Sequence, residues 1–201
     1  MKTELLLVCN GQTKSDPNDR SVGWWSDLSL SPDGMRQAML LGERLKVNYE
    51  DIDRLYASPL IRSAETAAII ADTVKVVVRK DAGLREIDAG QIDASVRDTG
   101  TAPDFAAGTL GKGETYAGMH KRVTRTIDGI VTKAPGKRII VVTHGGPIVA
   151  YLRSFLGFGA DQDHAPFFGC VPSSLHELTF DHNEKTIVRL NEVSHLADAP
   201  R

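Results

Sequence analysis

The chain reads as short apolar runs alternating with stretches whose apolar positions recur at helical spacing. Leu5 to Val8 is a continuous apolar run that ends in Cys9, Asn10 and Gly11. Such a run predicts a buried strand over residues 3–9 that delivers polar groups at its C-terminal end. The next twenty residues, with Asp16-Pro17-Asn18-Asp19 and Gly23-Trp24-Trp25, are turn-rich and irregular. Ser31-Pro32-Asp33-Gly34 opens a helix, with serine at the cap, proline in the first turn and aspartate at the positive dipole end. Met35, Ala38, Met39, Leu41 and Leu45 supply its buried stripe. Leu55 to Ala57 reads as a short strand, Ser58-Pro59 as the cap of a second helix through Ala71, and Val74 to Val78 as a third strand.

Composition changes from Asp88 to Gly113 to Gly, Ala, Thr and Asp, and this stretch predicts an irregular flap inside one domain spanning 1–201. A helix follows from Glu114 to Lys133, stopped by Ala134-Pro135-Gly136. Arg138 to Thr143 is a buried strand, His144-Gly145-Gly146 a tight turn, and Pro147 to Leu156 a helix. Leu175 to Phe180 and Thr186 to Leu190 flank Asp181-His182-Asn183-Glu184 as a hairpin. Strands alternating with helices predict an α/β fold, a three-layer α/β/α sandwich on a mostly parallel sheet. In such sheets ligands bind at the C-terminal ends of the strands.

Bulk properties narrow the function classes. A length of 201 residues suits one domain. A formal net charge of −2 leaves no footprint for nucleic acid or an anionic membrane, so neither is expected as a partner. The longest aliphatic runs, four residues each, are far short of a membrane span. Met1-Lys2-Thr3-Glu4 does not resemble a secretory leader, and two distant cysteines do not make a disulfide framework. The expectation is a cytoplasmic protein with free thiols. A homodimer is admissible.

Several segments, in order and spacing, resemble the histidine phosphatase superfamily in its phosphoglycerate-mutase-like branch. Ser58-Pro59-Leu60-Ile61-Arg62-Ser63-Ala64-Glu65-Thr66-Ala67 is similar to the helix carrying a phosphate-binding arginine, here Arg62. Leu84-Arg85-Glu86 is similar to the segment of the general acid, here Glu86. Val142-Thr143-His144-Gly145-Gly146 is similar to the segment of the second histidine, here His144. Gly113-Glu114-Thr115 and Asn191 to Leu196 resemble further family segments. The resemblance implies that these side chains share a site with Gln12 and with residues at the end of the first strand.

At that strand end the pattern departs. Where the family carries Arg-His-Gly-Glu/Gln-Thr, this chain has Cys9-Asn10-Gly11-Gln12-Thr13. An asparagine amide cannot take a phosphoryl group at nitrogen as imidazole does. Cysteine removes a permanent cation and its fork of donors. Asp16 stands where the family often has asparagine, and Gly90-Gln91-Ile92-Asp93-Ala94 replaces Gly-x-Trp-Glu-Gly. Losing two charged hydrogen bonds weakens phosphate binding by roughly two to four decades.

The expected function is a repurposed enzyme acting on a small anionic metabolite, such as a carboxylate. Arg62 is its anchor, Glu86 and His144 its acid/base pair, and Asn10, Cys9, Gln12 and Asp16 its further binding residues. Two alternatives stand beside it. One is a catalytically inactive binding or scaffold protein, and the other a weak phosphatase using His144 or Cys9 as nucleophile. Each residue also has a plainer reading: Cys9 as a small buried hydrophobe, Asn10 as a backbone ligand, Arg62 and Glu86 as a structural ion pair. No metal or cofactor is implied, because the histidines lack ligand spacing.

Overall fold

The strand Thr3–Cys9 (β1) is the centre of the molecule, and its four apolar residues Leu5 to Val8 are fully buried. The computed structural model describes residues 1–14, 27–88, 113–162, 165–182 and 184–197. The flap at 88–113 lies outside these, apart from Asp88 and Gly113, as do Asp16 and Trp24-Trp25. Among the described residues β1 is followed by α1 (Pro32–Asn48), β2 (Arg54–Ala57), α2 (Ile61–Val74), β3 (Val78–Lys80), α3 (Tyr116–Thr132), β4 (Arg138–Thr143), α4 (Gly145–Phe155), β5 (Leu175–Asp181) and β6 (Glu184–Glu192).

The strands form one six-stranded sheet in the order β3-β2-β4-β1-β5-β6. Pairings β3/β2, β2/β4 and β4/β1 are parallel, while β1/β5 and β5/β6 are antiparallel, so only β5 runs against the rest. Successive β1 side chains face opposite sides. Leu5, Leu7 and Cys9 join a cluster with Met119, Val123 and Ile127 of α3 and Ile148 of α4; Leu6 and Val8 join Leu41, Leu45, Ala67 and Ile70 of α1 and α2. The sheet is therefore the middle of three layers, and each such buried aliphatic side chain contributes roughly 2 kcal/mol.

Several elements differ from expectation. The third strand covers Val78–Lys80, because Val74 still ends α2 and Lys75 takes the left-handed cap conformation (φ 59°, ψ 42°) with its N–H on the Ala71 carbonyl. Helix α2 begins at Ile61, and Ser58 lies three residues ahead of it. Its cap comes from far away in sequence: Asp27 Oδ1 accepts the Ile61 N–H at 2.7 Å. His144 is the N-cap of α4, and Gly145 and Gly146 are its first residues, with Pro147 in the first turn. Met35 and Met39 are exposed at 42% and 58%, so the buried face of α1 is instead Gly34, Ala38, Leu41, Gly42 and Leu45.

That rotation of α1 has a steric cause. The loop after β1 runs against the first turn of α1, where Ser31 N–H donates to the Gln12 carbonyl at 2.9 Å. A Cβ at Gly34 would lie 1.9 Å from that carbonyl oxygen, and one at Gly11 would lie 2.6 Å from the Gly34 carbonyl oxygen. Only backbone fits between the two segments. Gly34→Ala is expected to cost about 1–3 kcal/mol in urea unfolding through overpacking. Gly129→Ala, in α3 with no atom within 4 Å of the added methyl, is expected to stabilise by about 0.5–1 kcal/mol. Equal shifts of the same sign would refute this account of the α1 face.

Candidate functional site

β1, β4 and β2 end at one edge of the sheet, and the registers Cys9↔Thr143 and Ala57↔Val142 make the next residues neighbours. Asn10 N–H donates to the Thr143 carbonyl at 2.9 Å, and Ser58 N–H to the Val142 carbonyl at 3.0 Å. The Asn10 carbonyl accepts Ser173 N–H at 3.1 Å. Three consecutive strand ends thus hold Asn10, His144 and Ser58 at fixed backbone positions. Their side chains meet: His144 Nδ1 lies 3.0 Å from Asn10 Oδ1, and Nε2 lies 2.8 Å from Ser58 Oγ. His144 is only 1% exposed. Burial, and then the charges of Arg62 and Arg122, hold its ring well below the usual imidazole range, so it is neutral.

Arg62 sits in the first turn of α2 and is buried. Burial disfavours its charge, while Glu86, Asp27 and Cys9 favour it. The guanidinium Nη1 lies 3.6 Å from Asp27 Oδ1. Glu86 reaches the same place from the segment after Leu84. Its Oε2 accepts the Gly146 N–H at 3.1 Å and its Oε1 accepts the Ile87 N–H at 2.9 Å. Burial raises the Glu86 carboxyl above the usual range, against the opposing pull of those two N–H groups, Arg62 and Arg122. A Cβ at Gly146 would lie 2.2 Å from Glu86 Oε1, so the first turn of α4 is shaped to the carboxyl.

Arg122 of α3 holds the Glu86 segment from behind. Nη1 donates to the Gly83 and Arg85 carbonyls at 2.9 Å each, and Nε donates to Glu114 Oε1 at 2.8 Å. Thr143 Oγ1 donates to the Leu84 carbonyl at 2.6 Å and ties the same segment to β4. Cys9 is buried, and its thiol is pushed far up by burial, then by Cys170 and Glu86, with Arg62 opposing. Cys170 is pushed up to about 12 by burial and then Glu86. Its Sγ lies 3.6 Å from Nε2 of His176, a ring that burial lowers to about 4. Neither thiol supplies appreciable thiolate near neutral pH.

Of the residues singled out in the sequence, Asn10, His144, Arg62, Glu86 and Cys9 stand at this edge. Gln12 is exposed, and its backbone N–H donates to Gln37 Oε1 at 3.0 Å, away beside α1. Asp16 lies outside the described residues. Among the described residues no three His, Cys, Asp or Glu side chains group as a metal cluster.

The match to known proteins covers this whole frame. A model of the histidine phosphatase superfamily (branch 1) matches residues 5–193. The chain belongs to the histidine phosphatase superfamily. Phosphoserine phosphatase 1 of Hydrogenobacter thermophilus is 27% identical over 205 residues, 97% of this chain and 95% of that protein. Phosphoglycerate mutase-like protein 4 of Arabidopsis thaliana is 32% identical over 157 residues, 72% of this chain and 67% of that one. Among solved structures, YhfR of Bacillus stearothermophilus has a TM-score of 0.81 at 26% identity over 96% of this chain and 99% of its own. A phosphoglycerate mutase of Bacillus anthracis has a TM-score of 0.75 at 20% identity, covering 98% of this chain and 96% of its own, a likeness of fold.

For this member of the histidine phosphatase superfamily, reading the sequence missed Asp27, Arg122, Cys170 and His176. Asp27 and Arg122 carry no motif; they are recognised by what they hold in space. Ser58 was visible, but as a helix cap. Among the described residues no helix is long and apolar enough to cross a membrane.

The buried rings set an acid limit on stability. Burial lowers His144, His176 and His195 below the ordinary imidazole value. Below about pH 6.5 the unfolded chain therefore binds more protons than the fold, and stability falls with pH. For His176 the window runs from 6.5 down to about 4, worth on the order of 3 kcal/mol at about 1.4 kcal/mol per unit. Glu86 acts oppositely: its raised carboxyl adds stability below its unfolded value, which is lost as pH rises through the folded one. Urea midpoints should fall between about pH 7 and about pH 5, more steeply in Glu86→Gln and less steeply in His176→Gln. A level midpoint in all three proteins would contradict these assignments.

Proposed function

We propose that this chain is a divergent superfamily member that forms no phosphohistidine at position 10 and binds a small anionic metabolite, a carboxylate, for acid/base chemistry. Arg62 is the anchor and Glu86 the proton donor and acceptor. One observation carries the reading: Asn10, at the strand end where the family pattern has histidine, is bonded through Oδ1 to His144 at 3.0 Å. An amide in that place offers hydrogen bonds and no nucleophile.

Charge supports the same reading. Arg62 brings one positive charge, and Asp27 lies 3.6 Å from it. Burial raises the Glu86 carboxyl beside Arg62, so its charged form is disfavoured. A monoanion is balanced there by less rearrangement than a phosphate dianion, and the Cys9 position adds no second guanidinium. The relatives named phosphoserine phosphatase and phosphoglycerate mutase-like make a phosphate substrate the natural rival. That rival requires a substitute nucleophile. His144 has a hydrogen-bond partner on each ring nitrogen, and Cys9 is a buried thiol with a raised pKa. His144's complete hydrogen bonding also favours a second reading, a binding protein without turnover, and it shifts the acid/base role toward Glu86.

Thermal unfolding with acetate, succinate and inorganic phosphate tests the proposal. At about tenfold excess over Kd a ligand stabilises by about 1.4 kcal/mol, roughly 3–6 °C for a chain of this size. The carboxylates should give such a shift in wild type and in Glu86→Gln, and almost none in Arg62→Ala. The shift should weaken as pH rises through the Glu86 value in wild type and stay level in Glu86→Gln. Phosphate protecting more than either carboxylate, or equal protection in Arg62→Ala, would sink the reading. Turnover of any carboxylate that survives Glu86→Gln would remove Glu86 from the chemistry.

A further inference from the structure

The hydrogen bonds around His144 have only one consistent direction. Asn10 Nδ2 donates to the Gly11 carbonyl at 2.9 Å, which fixes the amide with Oδ1 toward His144. Turning the amide over would set Oδ1 against that carbonyl, two acceptors face to face. Oδ1 in turn requires a hydrogen on His144 Nδ1, so in the neutral ring Nε2 holds the lone pair. Ser58 Oγ, 2.8 Å away, must then be the donor to Nε2, and it accepts the Leu60 N–H at 3.3 Å on its other side. Ser63 cannot take that part. Its Oγ lies 3.4 and 3.3 Å from the two ring nitrogens, but its hydrogen goes to the Thr143 carbonyl at 3.2 Å.

The donors therefore run in one line, from Ser58 to His144 to Asn10. The Asn10 backbone is pinned at both ends by Thr143 and Ser173, and its side chain by Gly11 and His144. Oδ1 accepts from the ring, and one Nδ2 hydrogen goes to the Gly11 carbonyl. Among the described residues no acceptor takes the second Nδ2 hydrogen.

We propose that Ser58 and His144 are positioning residues that lock the Asn10 amide nitrogen toward the ligand, so that Asn10 and Arg62 together read one carboxylate. This rests on the reading in which Arg62 anchors that group, and it specifies the partner. The hydrogen the amide offers recognises an acceptor. An ammonium, which can only donate, finds no partner in that hydrogen, whereas a carboxylate oxygen accepts it with a full negative charge. His144 in this arrangement works through Asn10 and transfers no proton itself.

Long-range nitrogen-15 correlation spectra of the imidazole rings in the full chain test the proposal without a ligand. In wild type the His144 ring should be neutral near pH 7, with its hydrogen on Nδ1. Ser58→Ala should move hydrogen to Nε2, wholly or in part, and weaken acetate protection about tenfold, one lost hydrogen bond. A wild-type spectrum with hydrogen on Nε2 overturns the relay, whatever acetate does and whether or not the Ser58→Ala chain folds. A Ser58→Ala spectrum identical with wild type removes Ser58 from it. Acetate protection that ignores Arg62→Ala instead defeats the anchor reading and leaves the tautomer result intact, so the two failures are distinguishable.

Discussion

The parallel pairing of β1 with β4 is the constraint on which the site depends. Residue for residue from Glu4↔Arg138 to Cys9↔Thr143, it carries two buried apolar strands to the same edge. A slip of one residue would exchange the faces of Leu5 to Val8 and break both cores at once. The register is therefore held by the whole hydrophobic pattern, and Asn10 and His144 inherit it. Their 3.0 Å contact is a consequence of core packing many residues away.

Placing a cation, a carboxyl and an imidazole at a buried edge is costly, and the structure answers the cost with partners. His144 avoids it by staying neutral. Arg62 keeps its charge with Asp27 and Glu86 nearby, and Glu86 is met by the Gly146 N–H at the start of α4 and by the Ile87 N–H. Buried polar groups are tolerated when such networks are complete. A chain that kept this network only as a remnant would gain stability by replacing it with apolar residues. The buried Arg62 and the raised Glu86 carboxyl are the two groups on which the proposed anion site rests.

Much of the frame was legible in the sequence, because long-range consequences followed from local signals. The apolar run at Leu5 to Val8, the cap at Ser31 and the stop after α3 each act over a few residues. Arg62, Glu86 and His144 were also readable, since their segments resemble those of a family, and Asn10 stood out because its segment departs from that pattern. What escaped was set by tertiary contact. The face of α1 was decided by backbone meeting backbone at Gly11 and Gly34, which periodicity alone does not encode, and so Met35 and Met39 point to solvent. Helix α2 is capped by Asp27 from another segment, and the strand expected at Val74 was displaced by a left-handed residue at Lys75. Ser58 and Arg122 act through hydrogen bonds between elements distant in sequence, and no spacing rule exposes those.

The central claim is that an amide has taken the place of the nucleophile at the end of β1, so that this member of the superfamily keeps the fold and an anion site without phosphoryl transfer at position 10. Rapid-quench labelling with radiolabelled 2,3-bisphosphoglycerate tests it most directly. The account predicts no acid-labile phosphoryl label on the wild-type chain at any time point. Stoichiometric label that forms and turns over on wild type would contradict it, and loss of that label in His144→Gln or Cys9→Ser would identify the group that carries the chemistry instead.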